Sequence, residues 1–132
     1  MKSLLSFSGR MARMEYFLAQ LGALIIMVMA AMVAGLFGNA VGERDLFFVF
    51  LGGPVFVLGV WVFLTTTVQR LHDIGMSGWH LIWVEGVSLL ASAVPTSEPF
   101  GVVLNLASLV ISLYVLFMPG QDRENDYGPV PA

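Results

Sequence analysis

Polar residues in this chain are gathered into short clusters, with four long apolar blocks between them. Tyr16 to Gly38 carries no charge over 23 residues, and Leu46 to Val68 is a second uncharged stretch of 23. Trp79 to Pro95 is shorter and includes His80 and Glu85. Phe100 to Met118 spans 19 residues, uncharged, with Asn105, Ser108 and Ser112 along it. A helix needs about 20 residues, within a range of about 17–25, to cross the hydrocarbon. The pattern therefore predicts an all-α membrane protein. Four transmembrane helices, over about residues 16–38, 46–68, 79–95 and 100–118, belong to a single domain spanning 1–132 that ends in a polar tail at 119–132. The third block is the marginal span, with a re-entrant or interfacial segment as its alternative. Gly52, Gly53 and Pro54 fall inside the second block. A kink is expected there, because lipid-embedded helices tolerate breakers when neighbours satisfy the freed backbone. Short connections make consecutive helices antiparallel, as in an up-down bundle.

Helices in lipid associate through small residues and scattered hydrogen bonds. Three stripes fit that rule. Ala30, Ala34 and Gly38 repeat on the first helix; Ser77, Leu81, Glu85, Ser88 and Ser92 share a face of the third; Asn105, Ser108 and Ser112 line up on the fourth.

Composition agrees with a bilayer as solvent. The chain is 58% hydrophobic and 11% charged, with a mean hydropathy of +0.85. Soluble domains carry about 25% charged residues, and a soluble core could not hide so much apolar surface. A net charge of −3 and the lack of a basic patch argue against a nucleic-acid partner. The chain has no cysteine, which excludes disulfides, thiolate metal sites and a cysteine nucleophile. The first apolar block begins only after Arg13 and Glu15 and runs beyond twenty residues. That exceeds a cleaved signal core of about 7–15 residues, so it reads as a retained span. Lys2, Arg10, Arg13, Arg70 and Arg123 fall on one side of four spans and only Arg44 on the other. The positive-inside rule then places both termini and the Arg70 hairpin in the cytoplasm.

The polar hairpin Val68-Gln-Arg-Leu-His-Asp-Ile-Gly-Met-Ser-Gly-Trp79 has two readings. In the topological one, Arg70 sits at a helix C-terminus where the dipole favours a cation, and Asp73 pairs with it one turn on. Gly75 supplies the left-handed residue that ends the helix, Ser77 caps the next one, and Trp79 marks headgroup depth. In the functional reading, Arg70, His72 and Asp73 bind something, joined by Arg10, Arg13 and Glu15 from the N-terminal segment. Arg10 and Arg13 could equally meet anionic lipid, at about 1 kcal/mol each. Glu15 then needs a cation, either Arg13 or Arg70. Glu85 is the one acidic residue within a span. A carboxylate at that depth is a functional candidate by default, or else is bonded to a depth-matched neighbour: Gln20, Thr65 or Ser112.

Three motifs share this predicted side: Phe7-Ser-Gly-Arg-x-x-Arg-x-Glu-Tyr-Phe17, Arg70-Leu-His-Asp-x-Gly-x-Ser-Gly-Trp79 and Pro119-Gly-Gln-(x)3-Asn-Asp-Tyr-Gly-Pro129. In that order they resemble the YhaH-like domain-of-unknown-function family of small bacterial inner-membrane proteins, over nearly the whole chain. The resemblance implies an inner-membrane protein of about four helices with no established activity, cofactor or partner. Members often carry two basic residues before Leu-His-Asp; the first is Gln69 here. The tail places Asp122, Glu124 and Asp126 beside the cationic cluster, which suggests a lid held by charge.

These observations favour a non-enzymatic membrane protein, with a binding or structural role centred on Arg10, Arg13, Glu15, Arg70, His72 and Asp73. Its partners would be the bilayer, anionic headgroups or another protein, and no cofactor or metal is expected. The alternative is a small transporter or proton-coupled carrier using Glu85, which needs a homo-oligomer because four helices scarcely enclose a pathway. An enzyme using His72 and Asp73 is disfavoured, since adjacent residues on a helix point about 100° apart.

Overall fold

The structure, a computed structural model, describes residues 4–131 and leaves out the side chain of Arg44. Lys2 and the Arg44 side chain, which enter the charge asymmetry, lie outside the described residues. The first helix, α1, covers Arg13–Val41. Its N-cap, Ala12, has no side-chain acceptor, and Glu15 instead reaches back to accept the Ala12 N–H at 3.2 Å. Gly42 closes the other end in the left-handed region at φ 79°.

The second long rod is composite. Helix α2 (Arg44–Phe47) passes into a π-helical segment, Phe48–Gly52, and then into α3 (Gly53–Ile74). Pro54 explains the break. It has no N–H, and its ring collides with the carbonyl four residues back in a regular α-helix. One wider turn relieves both problems; the Gly53 N–H reaches the Phe48 carbonyl. The anticipated irregularity is therefore a π segment inside a continuous rod. Helix α3 ends at Gly75, φ 90°, where the Gly75 N–H meets His72 O and the Met76 N–H meets Leu71 O. This is the Schellman arrangement, which closes the last turn.

A 3-10 turn, Gly78–His80, leads into α4 (Leu81–Ala93), and α5 follows over Pro99–Phe117. Among the described residues, three helical stretches are long and apolar enough to cross a membrane: α1, Asp45–Ile74 and α5. Helix α4 is not among them. Its 13 residues rise about 20 Å at 1.5 Å each. The preceding 3-10 turn adds about 6 Å.

The helices pair as two hairpins, α1 with α3 and α4 with α5, rather than as an evenly packed bundle. Among the described residues α1 and α4 do not pack directly, and α5 makes limited contact with α1 and α3. The small-residue stripes turn inward in part: Ser92 and Ser112 are exposed and bond back to their own helices, at Leu89 O and Ser108 O. Ala34 and Gly38 are buried on α1, where Ala34 lies beside Gly52 of the π segment and Gly35 beside Phe48. Ser88 and Ser108 bond across the second hairpin at 2.9 Å, and the Asn105 amide donates to Ala91 O at 3.3 Å. The two hairpins are joined chiefly at one end, where α3 and α5 finish.

Candidate functional site

At that end the polar motifs converge on the last turns of α3. The Asp73 carboxylate lies between two arginines. Arg10 approaches Oδ1 with Nε at 3.1 Å and Nη2 at 3.0 Å. Arg70 approaches Oδ2 with Nη1 at 2.5 Å. The three side chains are almost entirely buried: Arg10 is 3% exposed, Arg70 0% and Asp73 4%. One carboxylate cannot balance two guanidinium groups, and carbonyl oxygens complete the site. Arg70 Nε donates to Val115 O at 2.9 Å, Nη1 to Met11 O at 3.4 Å, and Nη2 to Leu116 O and Met118 O. Val115 and Leu116 belong to the last turn of α5, whose carbonyls lack helical partners and form the negative end of its dipole. Arg70 of one helix thus caps the C-terminus of another.

Arg10 performs the same task on the tail. Its Nη1 donates to Arg123 O at 2.7 Å and Gly128 O at 3.3 Å, and Nη2 to Gln121 O at 2.5 Å. A guanidinium has five N–H donors; Arg70 makes five hydrogen bonds to protein acceptors, and Arg10 makes four, with Nη2 also in ion-pair contact with Asp73. Arg70 keeps no N–H for an outside anion, and Arg10 is shielded from solvent by its burial.

The rest of the tail docks on the same helix end. Gln121 N–H meets Asp73 O at 2.8 Å, and the Asn125 amide meets His72 O at 2.9 Å. Tyr127 lies flat on the His72 ring, with centroids 3.8 Å apart and planes within 1°. Glycine is required at two points of close approach. A Cβ at Gly120 would run into the Asp73 carboxylate, and one at Gly75 into the Gln121 side chain. The anticipated lid exists, but its fastening differs. Backbone carbonyls of the tail hold Arg10, while Asp122, Glu124 and Asp126 stay exposed.

His72 Nδ1 lies 3.1 Å from Gly9 O. A carbonyl only accepts, so Nδ1 carries the proton. That contact belongs to a series that sequence reasoning missed. Trp61 Nε1 donates to Leu5 O at 3.0 Å, Thr65 Oγ1 to Leu4 O at 2.6 Å, and Gln69 Nε2 to Ser6 O at 2.5 Å. Trp61, Thr65, Gln69 and His72 form one stripe of α3 that holds residues 4–9 alongside the helix. Their spacing of four, four and three was the available signal, hidden because Trp61 and Thr65 lie within an apolar block.

Of the candidate residues, the structure brings together Arg10, Arg70, His72 and Asp73. Arg13 is exposed and lines a cavity of about 180 Å³ beside Arg70, Asp73 and Gly120. Glu15 is exposed and closes the first turn of α1; of the two cations offered for it, Arg70 spends its donors on Asp73 and on backbone carbonyls. Glu85 is half-buried on α4, and no hydrogen bond from its side chain is found among the described residues. None of its anticipated partners turns to it. Gln20 donates to Thr66 and Thr67, Thr65 to Leu4 O, and Ser112 to Ser108 O. Gln20 Oε1 is buried with no partner among the described residues.

An all-helical chain with three spans' worth of apolar helix and a polar clasp at one end is a membrane protein by length and composition. It belongs to the DUF805 family, proteins of unknown function, whose family model matches residues 4–129. No curated protein and no solved structure matches it.

Proposed function

We propose that the chain is a four-span protein of the bacterial inner membrane, with both termini on the cytoplasmic side, that acts without catalysis. Helix α4 and its leading turn together rise about 26 Å, close to the hydrocarbon thickness of about 30 Å, and the clasp gathers both ends of the chain on one face, as an even number of crossings requires. The clasp itself is a structural device. It fixes the N-terminal segment and the tail as a rigid polar face for a protein partner or for anionic headgroups. Exposed groups such as Arg13, Arg123 and Asp126 would make those contacts, rather than the buried arginines. One observation carries this reading: the buried guanidinium groups of Arg10 and Arg70 make nine hydrogen bonds within the protein, and Arg10 also ion-pairs with Asp73. The non-enzymatic part is supported by His72, which is covered by Tyr127 and bonded to Gly9 O.

Thermal unfolding in neutral and in anionic vesicles tests the assignment. Arg10→Gln should lower stability equally in both, whereas Arg13→Gln should reduce only the stabilisation by anionic lipid. If Arg10→Gln abolishes the anionic-lipid effect and leaves stability in neutral lipid intact, the clasp is a headgroup site.

A carrier built on Glu85 is the second reading. It rests on a half-buried carboxylate without a hydrogen bond and a buried amide oxygen, Gln20 Oε1, without a partner, both among the described residues. Two hairpins joined at one end enclose no pathway, so this reading requires a homo-oligomer. Proton flux into proteoliposomes, abolished by Glu85→Gln, would support it; equal flux in both proteins would end it.

A further inference from the structure

The segment before α1 departs from what water would ask of it. A solvated terminal peptide leaves its carbonyls to water. Here Leu4 O, Leu5 O, Ser6 O and Gly9 O each meet a side chain of α3. Ser6 Oγ takes the Ser8 N–H at 3.2 Å and lies 2.7 Å from Ser8 Oγ, so the two serines satisfy one another. The outward side chains are apolar apart from Ser8: Leu4 is 45% exposed, Leu5 53% and Phe7 40%. Phe7 also packs edge-on against Trp61 at 5.1 Å. Pairing four of the six carbonyls and turning leucine and phenylalanine outward both go toward the conditions that hydrocarbon imposes on irregular structure.

Depth agrees. Thr65 and Trp61 lie five and nine residues before Arg70, or about 8 to 14 Å further along α3 from the clasp at 1.5 Å per residue. Elements lying in an interface bury their apolar face about 5–10 Å deep. Below Leu4 the α1–α3 contact opens into a crevice of about 250 Å³, lined by Leu4, Leu18, Gly22, Ile26, Leu58 and Val62 among others, with almost no polar surface.

The geometry points to residues 4–9 as an arm that enters the acyl-chain region of the leaflet on the clasp side. Its occupant and partner is a lipid acyl chain, which covers Leu4, Leu5 and Phe7 and fills the crevice beneath. The Trp61–Thr65–Gln69–His72 stripe is the device that makes this possible, since it replaces water at four of the six carbonyls. The inference requires that the chain be embedded in a bilayer and is independent of how many times it crosses.

The absence of cysteine allows single labels. Leu5→Cys, Phe7→Cys, Leu18→Cys and Asp126→Cys would each carry an environment-sensitive NBD fluorophore in phosphatidylethanolamine–phosphatidylglycerol vesicles, read by doxyl-lipid and iodide quenching. The arm labels should match Leu18→Cys in doxyl quenching within about twofold, and iodide should quench them at least about fivefold less than Asp126→Cys. If residues 5 and 7 behave like residue 126 while residue 18 reads hydrocarbon, the arm lies in water and the inference fails. If residue 18 also reads water, the membrane assignment fails with it.

Discussion

The clasp and the middle of the α4–α5 hairpin hold helices together in opposite ways. At the clasp the largest fully buried side chains include Arg70, Gln69, Thr65, Thr66 and Thr67. Along α4 and α5 the buried residues are Val84, Ala91, Gly101 and Val115, and one serine pair crosses between the helices. Leu89, Leu106 and Val110 face outward there. A water-soluble protein would reverse this ordering. With lipid outside, a large apolar side chain gains nothing by turning inward, and burial goes to groups that need partners or that let backbones approach. The clasp concentrates interactions that fail severely when one member is lost. The hairpin middle distributes weak ones.

This contrast sets an order of expected effects. Asp73→Ala should be the most damaging substitution, because it leaves two buried guanidinium groups facing each other. Breaking a buried pair costs about 3–5 kcal/mol, measurable as lost unfolding free energy in mixed micelles. Such a loss should change little between low and high salt, since buried pairs are poorly screened. Gly120→Ala comes next, at about 1–3 kcal/mol for overpacking against the Asp73 carboxylate, with the tail released in limited proteolysis. Tyr127→Ala, which removes the ring stacked on His72, should cost about 1 kcal/mol. Ser88→Ala, at the hairpin middle, should cost about 0.6 kcal/mol. A Ser88→Ala effect as large as that of Asp73→Ala would erase the distinction between the two regions.

The helical class, the four apolar blocks and the Arg70–Asp73–Gly75 turn were legible in the sequence because each depends on local spacing. Hydropathy marks the blocks, and i,i+3 pairing and a C-terminal glycine mark the turn. The partners of Arg10 were not legible, since carbonyl oxygens carry no sequence signature, and three of the five acceptors of Arg70 are carbonyls of α5 or the residue after it. The same reason hid the arm at residues 4–9. Pro54 announced a break, but whether a helix answers with a kink or with a π segment depends on what the wider turn packs against, here Ala34 and Gly35 of α1. Helix α4 fell short of the third block because the 3-10 turn takes its first residues and Val94 is extended.

Hydrogen exchange of the tail amides tests the central claim most directly, that the clasp binds both ends of the chain to α3. The Gln121 N–H is held by Asp73 O and the Gly128 N–H by Asn125 O. Both should be protected in the intact protein. In Arg10→Gln both should exchange at least about tenfold faster, the equivalent of about 1.4 kcal/mol, while amides in the middle of α3 are unchanged. Tail amides that already exchange as fast as an unstructured peptide in the intact protein would contradict the account.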